Sequence, residues 1–219
     1  MVPWIYDVTQ ACSFGASALC FRLRVFGREH VPARGACIVA SNHASYLDPV
    51  VLGAASRRRL AFVARHDLFD VPVLGAYIRA LGAFPVRQEH AVDVESFRRA
   101  LGILRRDEVV ALFPEGTRSH DGRLQTGKGG VGVLAIKANV PVVPAYIAGT
   151  DRALPRAAKW IRCVPVSVRF GPPLRPEAFM KGGHRDGSRL MTEAVMQAIA
   201  DLASSISIHP KEAVGVKTR

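Results

Sequence analysis

Short runs of β-branched and small apolar residues punctuate this chain: ACIVAS (36–41), LAFVA (60–64), EVVALF (108–113), VPVVPAYI (140–147) and VPVSVRF (164–170). Runs of this length suit buried strands better than helices. The segments between them have another period. In VDVESFRRALGILRRD, Val94, Phe97, Leu101 and Leu104 recur at helical spacing while Arg98, Arg99, Arg105 and Arg106 take other faces. DPVVLGAAS and GVLAIKAN read as further helices, as does the stretch marked by Met191, Val195, Ile199 and Leu202. Strands alternating with helices predict an α/β fold, a sheet covered by helices. The 219 residues are enough for one such domain, and no repeat or low-complexity linker divides them.

Thirty Lys and Arg against eighteen Asp and Glu leave a net charge of +12. Such a chain seeks anionic partners: nucleic acid, a membrane surface or phosphorylated substrates. A nucleic-acid module predicts aromatics interleaved with Lys/Arg on a sheet face, or a reading helix, and the sequence has neither. Cys12, Cys20, Cys37 and Cys163 form no CxxC, and the seven histidines form no HExxH. No metal site is expected, and a reduced, cytosol-facing protein is the plain reading.

The first 28 residues are apolar but interrupted by Asp7 and Gln10 and closed by Arg22. They fall short of the ~20 clean apolar residues of a membrane span. Trp4, Tyr6, Phe14 and Phe21 with Arg22, Arg24 and Arg28 suit a helix lying at a membrane interface. Packing on the domain's own core is the equal alternative. The expected organisation is a membrane-associating helix over 1–28, a domain over 29–210 and a flexible tail over 211–219.

SNHASYLDP (41–49) follows the first of the five runs, so His43 falls at the C-terminal mouth of a strand. If the turn folds back, Asp48 orients the imidazole and frees its other nitrogen as a base. Asp-Pro is equally a helix start, with Asp48 as a cap. No serine or cysteine is held by spacing as a nucleophile, so a catalytic pair here needs a substrate that brings its own hydroxyl. LFPEGTRS (112–119) follows another strand. There Arg118 can fork onto a phosphate, Gly116 allows close backbone approach, and Glu115 and Thr117 add an acceptor and a hydroxyl. GAFPVRQ (82–88) adds Arg87. GRLQTGKGGVG (122–132) mimics a nucleotide loop, but Gly129 stands where a P-loop has Ser or Thr, and no strand immediately precedes it.

NHASYLD, GAFPVRQ, FPEGTRS and VPVVPAYI, in this order, resemble the four blocks of the glycerolipid acyltransferases, the 1-acyl-sn-glycerol-3-phosphate acyltransferase family. The resemblance covers roughly residues 20–175. It implies a single domain with a central, mostly parallel or mixed sheet flanked by helices, here with an N-terminal membrane-interfacial helix. It implies His43 as general base and Asp48 as the residue that orients it. Arg87, Glu115, Gly116, Thr117 and Arg118 are implied for the acceptor's glycerol phosphate, and Val143 and Pro144 for the acyl donor. Phe69 and Leu74 belong to an apolar segment expected as an acyl-chain tunnel, an exposed patch or core. The implied reaction moves an acyl group from acyl-CoA or acyl-carrier protein onto lysophosphatidate, without cofactor or metal. Glycerol 3-phosphate or a lyso-aminolipid are the alternative acceptors, and a non-catalytic peripheral membrane protein is the alternative of another class.

Two departures stand out. Relatives often carry an F-K-x-G pattern between blocks three and four. Here Leu124 and Gln125 fill those places and Lys128 looks displaced. Val86 stands where many relatives have an acidic residue. The basic balance suits an anionic membrane, at the cytoplasmic face of the cell membrane. Arg57, Arg58 and Arg59, and the group Arg152, Arg156, Lys159 and Arg162, are the candidate contacts.

Overall fold

A computed structural model describes residues 1–87, 93–156, 158 and 160–207. The expected tail (211–219) and Lys159 lie outside the described residues. The five apolar runs form β2 (Cys37–Ser41), β3 (Leu60–Arg65), β5 (Val109–Leu112), β6 (Val142–Ala148) and β7 (Ser167–Phe170). Two further strands, β1 (Arg24–Phe26) and β4 (Phe84–Val86), are three residues each, too short to register as runs. The sheet order is β1-β7-β6-β2-β5-β3-β4. β6, β2, β5, β3 and β4 are mutually parallel, and β7 turns antiparallel to β6 and pairs parallel with β1.

Strand residues alternate between two cores. Cys37, Val39, Val109, Ala111 and Val143 face a layer made by α1 (Pro3–Phe21) and α2 (Asp48–Ala55). Ile38, Ala40, Val110 and Val142 face α4 (Val94–Leu104), α5 (Gly130–Ala138) and α7 (Gly183–Ser207). Because both sheet faces are covered, the strands read as continuous apolar runs rather than alternating ones. Helices α5 and α7 touch closely: a Cβ on Gly132 would lie 1.9 Å from Ser188 O. α3 (Leu74–Ala80) fills the β3–β4 crossover, and α6 (Thr150–Ala153) follows β6.

The boundary expected at residue 28 does not divide the molecule. Phe21 belongs to the core, and β1 extends the sheet. Helix α1 packs on α2 through Tyr6, Ser17 and Phe21. Tyr6 Oη accepts the Leu60 N–H at 2.8 Å, and Gln10 Nε2 donates to Gly53 O at 2.7 Å. Trp4, Val8 and Leu19 are exposed on the same helix. Thus α1 carries large apolar side chains on its outer face as well as against the core, unlike a helix whose outer face meets only water. None of the described helices is long and apolar enough to cross a membrane.

Of the run Arg57–Arg59, two members are engaged internally. Arg58 donates to the carbonyls of Pro32, Gly35 and Asp107, and Arg59 pairs with Asp7 on α1 at 2.7 Å. The run precedes β3, at the opposite end of the parallel strands from His43. All four cysteines are free, and burial pushes the Cys37 thiol up to about 11. Cys37 is therefore a protonated core residue.

Candidate active site

The chain leaves β2 toward α2 on one face of the sheet and leaves the adjacent β5 toward α5 on the other. Diverging connections open a crevice at the C-terminal ends of these two strands, where open α/β sheets bind ligands. His43 and the segment Phe113–Ser119 both lie there.

The turn between β2 and α2 is held from the β6 side by Asn42. Its amide copies a backbone pairing: Nδ2 donates to Ile147 O at 2.9 Å, and Oδ1 accepts the Ile147 N–H at 2.7 Å. Both partners are buried. Asn42→Ala strands two buried main-chain groups and is expected to cost about 2–4 kcal/mol, read as a lower urea midpoint at unchanged m-value. A loss below the error of the fit contradicts this clamp. Asn42 stands inside the first block, but only the fold reveals its partner 105 residues away.

From the β5 side, Glu115 Oε1 accepts the His43 N–H at 2.7 Å, and the Ser119 N–H donates to His43 O at 2.8 Å. The His43 ring stacks on Phe113 with centroids 4.1 Å apart. Its Nδ1 lies 2.8 Å from Asp48 Oδ2. The same oxygen accepts the Ala44 and Ser45 N–H groups, each at 2.7 Å, and Asp48 is fully buried. An acceptor-only carboxylate makes Nδ1 the protonated nitrogen and leaves Nε2 free to take a proton.

Of the two readings of Asp48, the structure has the imidazole contact and not the cap. Pro49 opens the helix, while the carboxylate faces the imidazole and the turn, with no side-chain cap on the first amides of α2. Among the described residues no serine or cysteine side chain hydrogen-bonds to the ring; Ser45 Oγ is turned to Leu154 O at 2.9 Å.

Glu115, expected to meet a substrate hydroxyl, has both oxygens on main chain: Oε2 accepts the Gln125 N–H at 3.0 Å. Burial pushes its carboxyl above the usual range, and the N–H groups of His43 and Gln125 oppose that rise. In this geometry it is a positioning residue for His43. Gly116 has φ +72°, and a Cβ there would lie 2.9 Å from Lys128 Nζ. Lys128, apparently displaced in sequence, lies against the third block in space, because its N–H is bonded to Pro114 O at 2.7 Å. Arg118 lies over the Tyr46 ring, 3.5 Å from its centroid, a cation–π contact. Its Nη1 is buried without a hydrogen-bond partner among the described residues. Thr117 is exposed.

The other expected site residues are not gathered here. Arg87 follows β4, three strands from β2, a lateral separation of about 14 Å between the strands. It lines a cavity of about 340 Å³ with His66, Phe69, Arg79, Asp93 and Arg99, which includes none of the residues around His43. Leu74 points outward on α3. Val143 and Pro144 are both buried, and strand alternation turns them to opposite faces, so they cannot line one acyl site from the same side. Pro144 is tolerated in this inner strand where β7 has just ended; its carbonyl still accepts the Gly171 N–H at 2.8 Å.

The chain is similar to known proteins in sequence and in fold. Residues 22–148 match the model of the family described as Acyltransferase. A chloroplastic 1-acyl-sn-glycerol-3-phosphate acyltransferase of Brassica napus is 32% identical over 143 residues, 64% of this chain and 41% of the relative. The chain thus spans about two-fifths of that relative's length. The 1-acyl-sn-glycerol-3-phosphate acyltransferase of Bacillus subtilis is 27% identical over 84% of this chain and 89% of its own. The crystal structure of the 1-acyl-sn-glycerophosphate acyltransferase of Thermotoga maritima superposes with a TM-score of 0.76 at 26% identity, covering 91% of this chain and 80% of that one. With the matched segment running from the sheet's first strand through its sixth, and both halves of the His43 crevice inside it, this chain belongs to the acyltransferase family.

Proposed function

We propose that this protein transfers an acyl group from a thioester, acyl-CoA or acyl-carrier protein, to the free hydroxyl of 1-acyl-sn-glycerol 3-phosphate, giving phosphatidate. The observation that supports this most directly is the His43–Asp48 contact of 2.8 Å beside a crevice where, among the described residues, no serine or cysteine side chain bonds to the ring. Nε2 of His43 removes the acceptor's hydroxyl proton as that oxygen attacks the thioester carbonyl. Asp48 stabilises the imidazolium that forms. The tetrahedral adduct collapses, the C–S bond breaks, and His43 returns the proton to the departing thiolate. No step asks for a metal or cofactor.

The acceptor's phosphate is assigned to Arg118 and Lys128, which flank Gly116 beside His43. A buried guanidinium N–H without an acceptor favours an anionic ligand. Arg118→Ala and Lys128→Ala are each expected to raise the acceptor KM about 10- to 100-fold, since a hydrogen bond to a charged group contributes about 1.5–3 kcal/mol. Thiol release is measured with lysophosphatidate, with monoacylglycerol and with both donor types. An unchanged KM in both variants, or no preference for the phosphate-bearing acceptor, overturns the assignment.

The second part of the proposal is a membrane surface as partner, at the cytoplasmic face. Its support is α1, whose Trp4, Val8 and Leu19 are exposed while Tyr6 and Gln10 bond inward, together with the net charge of +12. Because Tyr6 and Phe21 are core residues, deleting the helix unfolds the site. Substitutions on its outer face are the informative ones.

A further inference from the structure

The strongest unexplained surface feature lies at the same end of the strands as His43. Between α6 and β7, Trp160 is 83% exposed and Ile161 is 55% exposed. Adjacent large apolar side chains left in water mark an interaction site. The segment is not a loose appendage. Ser45 Oγ donates to Leu154 O at 2.9 Å, Arg156 Nη1 donates to Arg118 O at 3.2 Å, and the Arg162 N–H donates to Ala153 O at 2.7 Å. It is therefore tied to both turns that frame the His43 crevice. Along the chain Arg152, Arg156 and Arg162 flank the apolar pair with positive charge.

A matching feature stands on the other side of His43. After β3, Val73 is 84% exposed at φ +66°, with Leu74 beside it. A β-branched residue in that backbone region is an outlier, of the kind found where function holds a strained conformation. In strand order the two points bracket the crevice, with β6 on one side of β2 and β5, and β3 on the other. Helix α1 joins them. Its first turns bond to α3, Val2 N–H to Ala80 O at 2.7 Å and Thr9 Oγ1 to Tyr77 Oη at 2.9 Å. Its end accepts the Val166 N–H at Phe21 O, 2.9 Å away.

We infer that Trp160 and Ile161 form a second membrane-inserting point, which with Val73–Leu74 and the outer face of α1 seats the His43 crevice against an anionic bilayer. This rests on the membrane-surface reading above and adds which part of the molecule enters the lipid. Indole is suited to the headgroup boundary, apolar in body and polar at one atom. The neighbouring arginines select an anionic surface rather than a neutral one. With the crevice so seated, the acceptor reaches His43 from the lipid without passing through water.

The test uses the full chain and exploits its two tryptophans. Trp4→Phe leaves Trp160 as the only indole. Vesicles of phosphatidylglycerol and phosphatidylcholine with brominated acyl chains are expected to shift Trp160 emission to the blue and quench it. W160S/I161S, a surface change that leaves the circular dichroism spectrum intact, is expected to bind such vesicles about tenfold more weakly. If the Trp4→Phe protein co-sediments with vesicles but Trp160 emission is unmoved, this inference is overturned and the surface reading stands. If even the unmodified chain stays in solution, the surface reading falls and this inference with it. A concentration-dependent shift without vesicles identifies a second copy as the occupant and overturns the bilayer.

Discussion

His43→Ala is expected to give a folded protein that turns over about a thousandfold more slowly, within the 10²- to 10⁴-fold range of a positioned general base. The rate is read as thiol release from the acyl donor with lysophosphatidate as acceptor. The fold tolerates the change because the His43 backbone is held independently of its ring. Its N–H is bonded to Glu115 and its carbonyl to Ser119. What is lost structurally is a part-buried stack on Phe113 and one of the three N–H groups on Asp48 Oδ2, together about 1–3 kcal/mol. Acceptor KM should change little, because the ring meets the hydroxyl proton chiefly in the transition state. A residual rate within tenfold of the parent protein removes His43 from the role of base.

Asp48 separates into two experiments because one oxygen does all the work. Oδ2 receives three N–H groups, from His43, Ala44 and Ser45, while Oδ1 has no hydrogen-bond partner among the described residues. Asparagine can present its carbonyl where Oδ2 lies, keeping the three bonds and losing only the charge. Asp48→Asn is therefore expected to lower turnover about 10²- to 10⁴-fold through the unstabilised imidazolium. Its stability loss is about 1–3 kcal/mol, from an amide NH₂ buried without an acceptor. Asp48→Ala leaves three donors without an acceptor, two of them buried main-chain groups. It should cost about 3–5 kcal/mol and lower activity at least as far. Denaturant midpoints and turnover together distinguish the two variants. Equal stability losses, or an Asn variant within tenfold of the parent rate, contradict a single-oxygen clamp with a catalytic charge.

The cationic loci divide in a way spacing does not reveal. Arg87 and Arg118 look like one phosphate grip in sequence. In the fold, Arg118 lies on Tyr46 beside the crevice, whereas Arg87 lines a cavity with Arg79 and Arg99 three strands from β2. Lys128 makes the opposite move: twelve residues beyond Gly116 in the chain, it is packed against it. The proposed phosphate site thus rests on Arg118 and Lys128.

The five buried strands and the main helices were legible because a strand covered on both faces must be apolar throughout, and a covering helix must be apolar along one stripe. β1 and β4 were not legible, since three residues carry no period. The His43–Asp48 pair was half legible. A five-residue separation permits both a helix cap and an imidazole partner, and local chemistry does not choose between them. The choice is made by Asn42 gripping Ile147 and Glu115 gripping His43, contacts across 105 and 72 residues. The sequence by itself determined the five main strands, the main helices and the family resemblance, because these depend on neighbours along the chain. Strand order, the crevice between β2 and β5, the positioning role of Glu115 and the outward apolar face of α1 were decided only by tertiary structure. Each depends on which distant backbone groups satisfy one another once water is excluded.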